Sequence, residues 1–223
     1  MSRTITVKGT GKVSARPDYI VLSMTLETRD KDYDKAMDTA AQQLQQLDDA
    51  LIAADFEKSS IKTTGFNVRA DYSHENDGSG RWSQIFKGYV VSHSLKLEFD
   101  LDMKRLSDAL NAASGCLSHP QLSIAFTVKD PTAINEELLR SAAANARRKA
   151  EILCEASGVQ LGSLTAIDYN WNELNVFSAT RYSMTEDCEC EAAPMAAKAM
   201  DITPDDINLS DTAAFVWEII QDK

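Results

Sequence analysis

Two cysteines separated by one residue, Cys188-Glu189-Cys190, come closest in this chain to a ligand or redox pair. Thiolates are soft metal ligands and nucleophiles, so zinc binding or hydrolysis using this pair and the histidines is the first chemistry to weigh. Glu186, Asp187, Glu189 and Glu191 surround the pair. Carboxylates beside a thiol raise its pKa and disfavour the thiolate, although they also attract cations. A structural zinc site usually takes four ligands, so Cys116, Cys154, His74 or His119 would have to arrive from elsewhere in the fold. His93 lies between Ser92 and Ser94, but adjacent strand residues point to opposite faces, which separates a serine nucleophile from its base. We expect a satisfied or interface histidine there, and loop histidines at His74 and His119. Gly9-Thr10-Gly11-Lys12 resembles a phosphate loop only in part, because Thr6 and Val13 stand where that motif needs Gly and Ser or Thr. Ser14 occupies the third glycine of a dinucleotide fingerprint. The carboxylate pairs Asp48-Asp49, Glu136-Glu137 and Asp205-Asp206 read as solvated faces, since sequence neighbours diverge on a helix. No catalytic, cofactor or metal residue is assigned on these grounds.

The composition bounds the classes. The chain has 223 residues, 43% hydrophobic and 26% charged, which excludes a disordered, collagen-like or disulfide-scaffold protein. Its formal charge of -11 has the wrong sign for a phosphate-backbone binder, so nucleic acid is not an expected partner. No stretch approaches the ~20 apolar residues of a membrane helix, and Met1 to Val7 has no apolar run of signal-peptide length. Four cysteines without framework spacing suit reduced thiols. A soluble, cytoplasmic protein is expected, exported only if a leader has been removed.

The elements that would position these residues follow from hydrophobic period. Thr4 to Lys8 and Tyr19 to Thr28 are rich in β-branched residues and flank Arg16-Pro17-Asp18, which predicts a β-hairpin. Gly9 and Gly11, at alternate positions of the first arm, predict a bulge or the close approach of another backbone. From Asp32, Ala36, Met37, Ala40, Leu44, Leu47 and Leu51 form a helical stripe ending near Ala54. Ile61 to Tyr72 and Tyr89 to Phe99 are strands around the polar tip His74 to Gly80, with His93 on the inward face. Asp102 caps a short helix that Gly115 ends in a left-handed cap, and Leu122 to Val128 is a strand. Asp130-Pro131 starts the longest helix, with Asp130 as N-cap and Pro131 at the first helical position, and Gly158 stops it. Ala142, Ala146 and Ala150 give that helix a stripe of small residues open to close packing. Leu164 to Tyr169 is a strand, Glu173 to Pro204 loses regular period, and Ile207 to Ile219 alternates as a closing strand.

This order predicts an α+β fold with antiparallel sheets, packed helices and hairpin-helix-strand pseudo-repeats. Residues 1–62 with 161–223 are expected to form a discontinuous α+β domain, and residues 63–160 an inserted α+β domain of ferredoxin-like character.

Several segments stand out in a fixed order: Val7-Lys8-Gly9-Thr10-Gly11-Lys12-Val13 with Pro17-Asp18, Ala36 in the first helix, Ile61-Lys62-Thr63, and Gly88-Tyr89-Val90-Val91-Ser92. Ala142, Ala146 and Ala150, then Gly158 and Leu161-Gly162, complete the series. Taken together they resemble the SIMPL-domain family of bacterial proteins. Two departures stand out: Asp55-Phe56 replaces a glycine after the first helix, and Ala70-Asp71-Tyr72 lacks a proline before the aromatic. The resemblance implies an oligomeric, even ring-shaped, assembly, a loose association with envelope or oxidative stress, and no agreed catalytic residues. Its characterised members mostly carry an export signal.

The expected function is a non-enzymatic SIMPL-like protein that self-associates as a homo-oligomer through sheet edges, the alanine-faced helix or the Met-containing excursion. Trp171, Phe177, Met184 and Met195 are the expected interface residues. The alternative is a metal-binding or hydrolytic enzyme built on Cys188, Cys190 and the histidines.

Overall fold

The computed structural model of the chain describes residues 3–76, 82–116, 120–169, 174–184 and 202–221. Among the described residues, two antiparallel sheets and three α-helices make an α+β fold, as expected. The strands are β1 (Thr4–Ala15), β2 (Tyr19–Asp30), β3 (Ile61–Asn76), β4 (Trp82–Asp100), β5 (Gln121–Thr127), β6 (Val159–Asp168), β7 (Phe177–Met184) and β8 (Ile207–Gln221). The helices are α1 (Tyr33–Ala53), α2 (Met103–Ser114) and α3 (Thr132–Ala156). None of the described helices is long and apolar enough to cross a membrane.

The chain divides into two compact units, residues 1–17, 127–179 and 204–223 in one and 18–126 and 180–203 in the other. The first is discontinuous, but its boundaries are not those read from the sequence. Helix α3, expected in the insertion, belongs with the termini, whereas β2 and α1, expected with the termini, belong to the other unit. The predicted N-terminal hairpin is also corrected. β1 pairs with β8 from Thr4↔Glu218 to Ala15↔Ile207, and β2 pairs with β4 from Tyr19↔Asp100 to Asp30↔Tyr89. Arg16-Pro17-Asp18 therefore joins two sheets instead of turning within one.

In the unit that begins at Asp18, the order β2-α1-β3-β4-α2-β5 with sheet order β3-β4-β2-β5-β7 is the split β-α-β arrangement of ferredoxin-like folds. The ferredoxin-like character thus falls on residues 18–126, not 63–160. Period-2 alternation places Ile20, Leu22, Met24 and Leu26 of β2 beside Leu95, Leu97 and Phe99 of β4 on the face covered by α1 and α2. Leu47, Leu51, Leu106 and Leu110 complete this core. Asp32 and Asp102 accept backbone N–H groups from the first turns of α1 and α2, as side-chain caps do. Gly115, expected left-handed, is right-handed, at φ -79° and ψ -8°. Asp55 takes the left-handed turn after α1 at φ 63°, a conformation that a short polar side chain tolerates and that explains why glycine is dispensable there. The adjoining Phe56 is buried against Phe99 and under the Arg105 guanidinium.

In the other unit, α3 lies on the sheet β1-β8-β6. A Cβ on Gly9 would stand 2.1 Å from the Ala142 carbonyl oxygen, and one on Gly11 2.1 Å from that of Leu138. The two glycines admit the helix backbone, and the alanine stripe fills the seam with Val7, Phe215 and Trp217. The stripe is therefore consumed inside the unit and offers no outer assembly face. Thr132 is the first helical residue of α3, one later than the sequence predicts, and the Asp130 carboxylate accepts its N–H. Hydrogen bonds from Thr132 hold the Asp130 carboxyl below its usual range. Gly158 ends the helix at φ +65°, as expected.

The excursion read over 173–204 contains a further strand. β7 alternates between exposed Phe177 and buried Ser178 and joins the edge of the five-stranded sheet next to β5.

Candidate functional site

The histidine singled out in the sequence is held by its neighbours. His93, on the helix-facing side of β4, is buried, with Nε2 3.0 Å from Thr63 Oγ1 and the Phe66 ring edge-on, 5.3 Å away between centroids. Burial lowers its pKa from the ordinary 6.5, against a smaller opposing pull from Asp48. Ser92 and Ser94 alternate to the other face, where Ser94 Oγ meets Thr25 Oγ1 at 3.5 Å. The arrangement sets the imidazole at the rim of the core, with Nε2 on the exposed Thr63, disfavours its protonation, and gives it no serine to activate.

A stability consequence follows. The folded chain holds His93 neutral, whereas the unfolded chain protonates it below its ordinary pKa, so the stabilisation is complete above 6.5 and falls as pH drops toward the lowered folded value. We expect the urea midpoint to fall between about pH 7.5 and about pH 5.5, and His93→Gln to flatten that slope while keeping a bond to Thr63. An identical slope in the variant would remove His93 as its source.

Of the other predicted positions, His74 lies exposed on β3. Cys116 and Cys154 are buried, one in each unit. Cys188, Cys190, His119, Trp171 and Met195 lie outside the described residues. Met184 ends β7, with its side chain outside the described set, and Phe177 begins that strand, 39% exposed. Among the described residues no three His, Cys, Asp or Glu side chains converge as a metal site would require.

What the structure does bring together is a row of aromatic rings. β3 and β4 pair with each other out to Asn76↔Trp82, while β2 accompanies β4 only as far as Tyr89. The two strands thus continue as an arm beyond the sheet. Register shifts between Asp71 and Tyr72 to bring Tyr72 opposite Phe86. Tyr33 meets Tyr89 edge-on at 5.5 Å, Tyr89 meets Phe86 at 5.2 Å, and Phe86 meets Tyr72 at 5.5 Å. Such edge-to-face contacts are the preferred geometry of aromatic pairs. Yet Tyr33, Tyr72 and Phe86 keep 47%, 46% and 40% of their surfaces exposed. Sequence reasoning missed this row. Tyr72 and Phe86 lie equally far from the midpoint between the paired Asn76 and Trp82, which makes them cross-strand partners, but the polar tip His74 to Gly80 has a different centre and hides that symmetry.

Gly88 makes the arm possible. At φ +144°, its missing Cβ would lie 2.4 Å from the Asp30 carbonyl oxygen, where β2 ends. Gly88-Tyr89 is therefore a glycine at positive φ followed by the ring that meets Tyr33 edge-on. The profile of the SIMPL family, described as a protein of unknown function (DUF541), matches residues 5–217 of this chain.

The chain belongs to the SIMPL family.

Two similar proteins are the 26 kDa periplasmic immunogenic proteins of Brucella melitensis biotype 1 and Brucella abortus strain S19, each 26% identical over 163 residues. The match covers 73% of this chain, and the chain spans 65% of the length of these curated relatives. The segments through which the sequence resembled the SIMPL family have structural roles. Gly9 and Gly11 seat α3, Gly88-Tyr89 shapes the arm, and Gly158 ends the long helix.

Proposed function

We propose that this SIMPL-family chain is a non-catalytic protein that works by assembling with copies of itself. The supporting observation is the aromatic row that runs from Tyr33 at the start of α1 through the half-buried Tyr89 to the exposed Phe86 and Tyr72 on the β3-β4 arm. A two-stranded ribbon is marginal in water unless something packs on its apolar face, and large exposed apolar patches are typical of interaction surfaces. The non-catalytic part of the reading is supported by His93, whose Nε2 is engaged by Thr63 and whose neighbouring serines lie on the opposite face of the strand. Buried thiols in both units favour a cytoplasmic location, although the two Brucella relatives are named as periplasmic.

Light scattering on the eluting full chain tests the assembly. The wild type is expected as a defined oligomer, and the double variant Tyr72→Ser/Phe86→Ser, which alters only exposed rings, as a smaller species with an unchanged circular dichroism spectrum. A wild type with the mass of one chain overturns the proposal. An unchanged oligomer in the variant removes the arm from it.

A further inference from the structure

The arm leaves the sheet at one level. β2 accompanies β4 up to Asp30↔Tyr89, and the next pair, Asp71↔Gly88, lies beyond the end of β2. Glycine has the widest choice of backbone angles, so contacts rather than the local chain must fix the direction in which β3 and β4 go on. Those contacts grip the root from both faces. On the helix side the rings of Tyr33 and Tyr89 meet edge-on. On the opposite face Arg29 Nη1 of β2 lies 3.5 Å from Asp71 Oδ2 of β3.

β2 and β3 are not neighbours, because β4 runs between them. The Arg29–Asp71 ion pair therefore spans a whole strand and ties the last residues of β2 to the first level of the arm. A second pair, Arg69 Nη2 to Glu27 Oε1 at 3.3 Å, spans β4 on the side nearer the sheet. Arg29 and Arg69 are both register partners of Val90, so their stems flank it. Val90 alternates away from the helix-facing Tyr89 and Val91, yet it has no exposed surface. The side chains of Arg29 and Asp71 are 58% and 24% exposed, so dissolved ions reach the tie.

We propose that Arg29 is a positioning residue for self-assembly: through Asp71 it fixes the direction of the arm that carries Tyr72 and Phe86, and ionic strength thereby tunes the assembly. This deepens the self-assembly reading, and its assembly half rests on that reading. An arm already held in its binding direction loses less freedom on association, so an untied arm binds more weakly. One exposed ion pair shifts an equilibrium by about fivefold at most, but the factor recurs at every arm of an oligomer. Salt also screens the mutual repulsion of chains of formal charge -11, which acts in the opposite direction, so the comparison needs chains of equal charge.

The test compares the full wild-type chain with Arg29→Met/Asp71→Asn, which removes the ion pair but keeps the net charge and an apolar stem beside Val90, and with Arg29→Lys, which keeps the cation. At about 10 mM salt, amides of residues 72–76 and 82–87 are expected to exchange about threefold to fivefold faster in the double variant, with Arg29→Lys close to wild type. The chain concentration at which light scattering shows half-dissociation is expected to rise by at least the same factor. At about 1 M salt both differences close, because screening removes the tie from the wild type as well. Equal exchange in all three chains at low salt overturns the tie. Faster exchange with an unmoved dissociation concentration overturns its role in assembly, and a gap that persists at high salt overturns the control by ionic strength. A wild type of single-chain mass at every concentration overturns the self-assembly reading and the assembly half of this proposal, while the exchange comparison still decides the tie.

Discussion

Gly9→Ala lowers the stability of the chain by about 3 kcal/mol or more, the upper end of what overpacking a filled site costs. The sign makes this informative. At a position whose backbone any residue can adopt, replacing glycine with alanine normally stabilises by about 0.4–1 kcal/mol, because the unfolded chain loses freedom. Gly9 lies in a regular strand with no positive φ, so conformation alone predicts a gain. Space predicts the reverse. The added Cβ would sit 2.1 Å from the Ala142 carbonyl oxygen and 2.7 Å from the Ala146 Cβ. A backbone oxygen cannot rotate away, so α3 must lift from β1, which opens the seam of Val7, Ala146, Ala150, Phe215 and Trp217 and stretches the bonds that Asn145 and Ser141 accept from the Thr10 and Lys12 N–H groups. Gly11→Ala meets the Leu138 carbonyl at the same distance and should behave alike. Urea midpoints at unchanged slope measure both effects. An equal or higher midpoint would show that the helix is not seated on these glycines.

Leu22→Ala should cost about 4 kcal/mol, within the 2–5 kcal/mol span for truncating a buried leucine. Leu22 has no exposed surface and lies on the central strand β2, opposite Leu97 of β4 and under the core that α1 and α2 close. Regular strands cannot shift to fill the void without breaking register, because a one-residue slip turns every side chain to the other face. The loss is therefore near that of an unrelaxed cavity. Hydrogen exchange locates it: faster exchange is expected in peptides from 18–126, and for Gly9→Ala in β1 and α3. A Leu22→Ala midpoint within 1 kcal/mol of wild type, by the same ~1 kcal/mol scale that separates surface from core substitutions, would place Leu22 outside a close-packed core.

These two positions differ in how legible they were. For Leu22 the sequence shows a β-branched-rich strand over Tyr19 to Thr28, and the structure adds that Ile20, Leu22, Met24 and Leu26 face the core. Gly9 and Gly11 announce a close approach but not the approaching element, since a missing side chain leaves room without naming a neighbour. The aromatic row was harder still. It depends on the shift between Asp71 and Tyr72 and on the positive φ of Gly88, neither of which changes the hydrophobic period.

The sequence by itself determined every element type but that of β7, the cap at Asp102, the stop at Gly158, the glycine and alanine faces that must meet something, and the α+β class. Those are local properties, set by side-chain period, by hydrogen bonds within a few residues and by allowed φ. Tertiary structure alone decided that β1 pairs with β8 rather than β2, that α3 joins the termini, and that α3 side chains bond to the outward backbone of β1. Backbone donors and acceptors are the same at every residue, so strand pairing carries no local signature. It is settled by which arrangement buries the marked faces together, a sum over residues more than a hundred positions apart, as between Thr10 and Asn145.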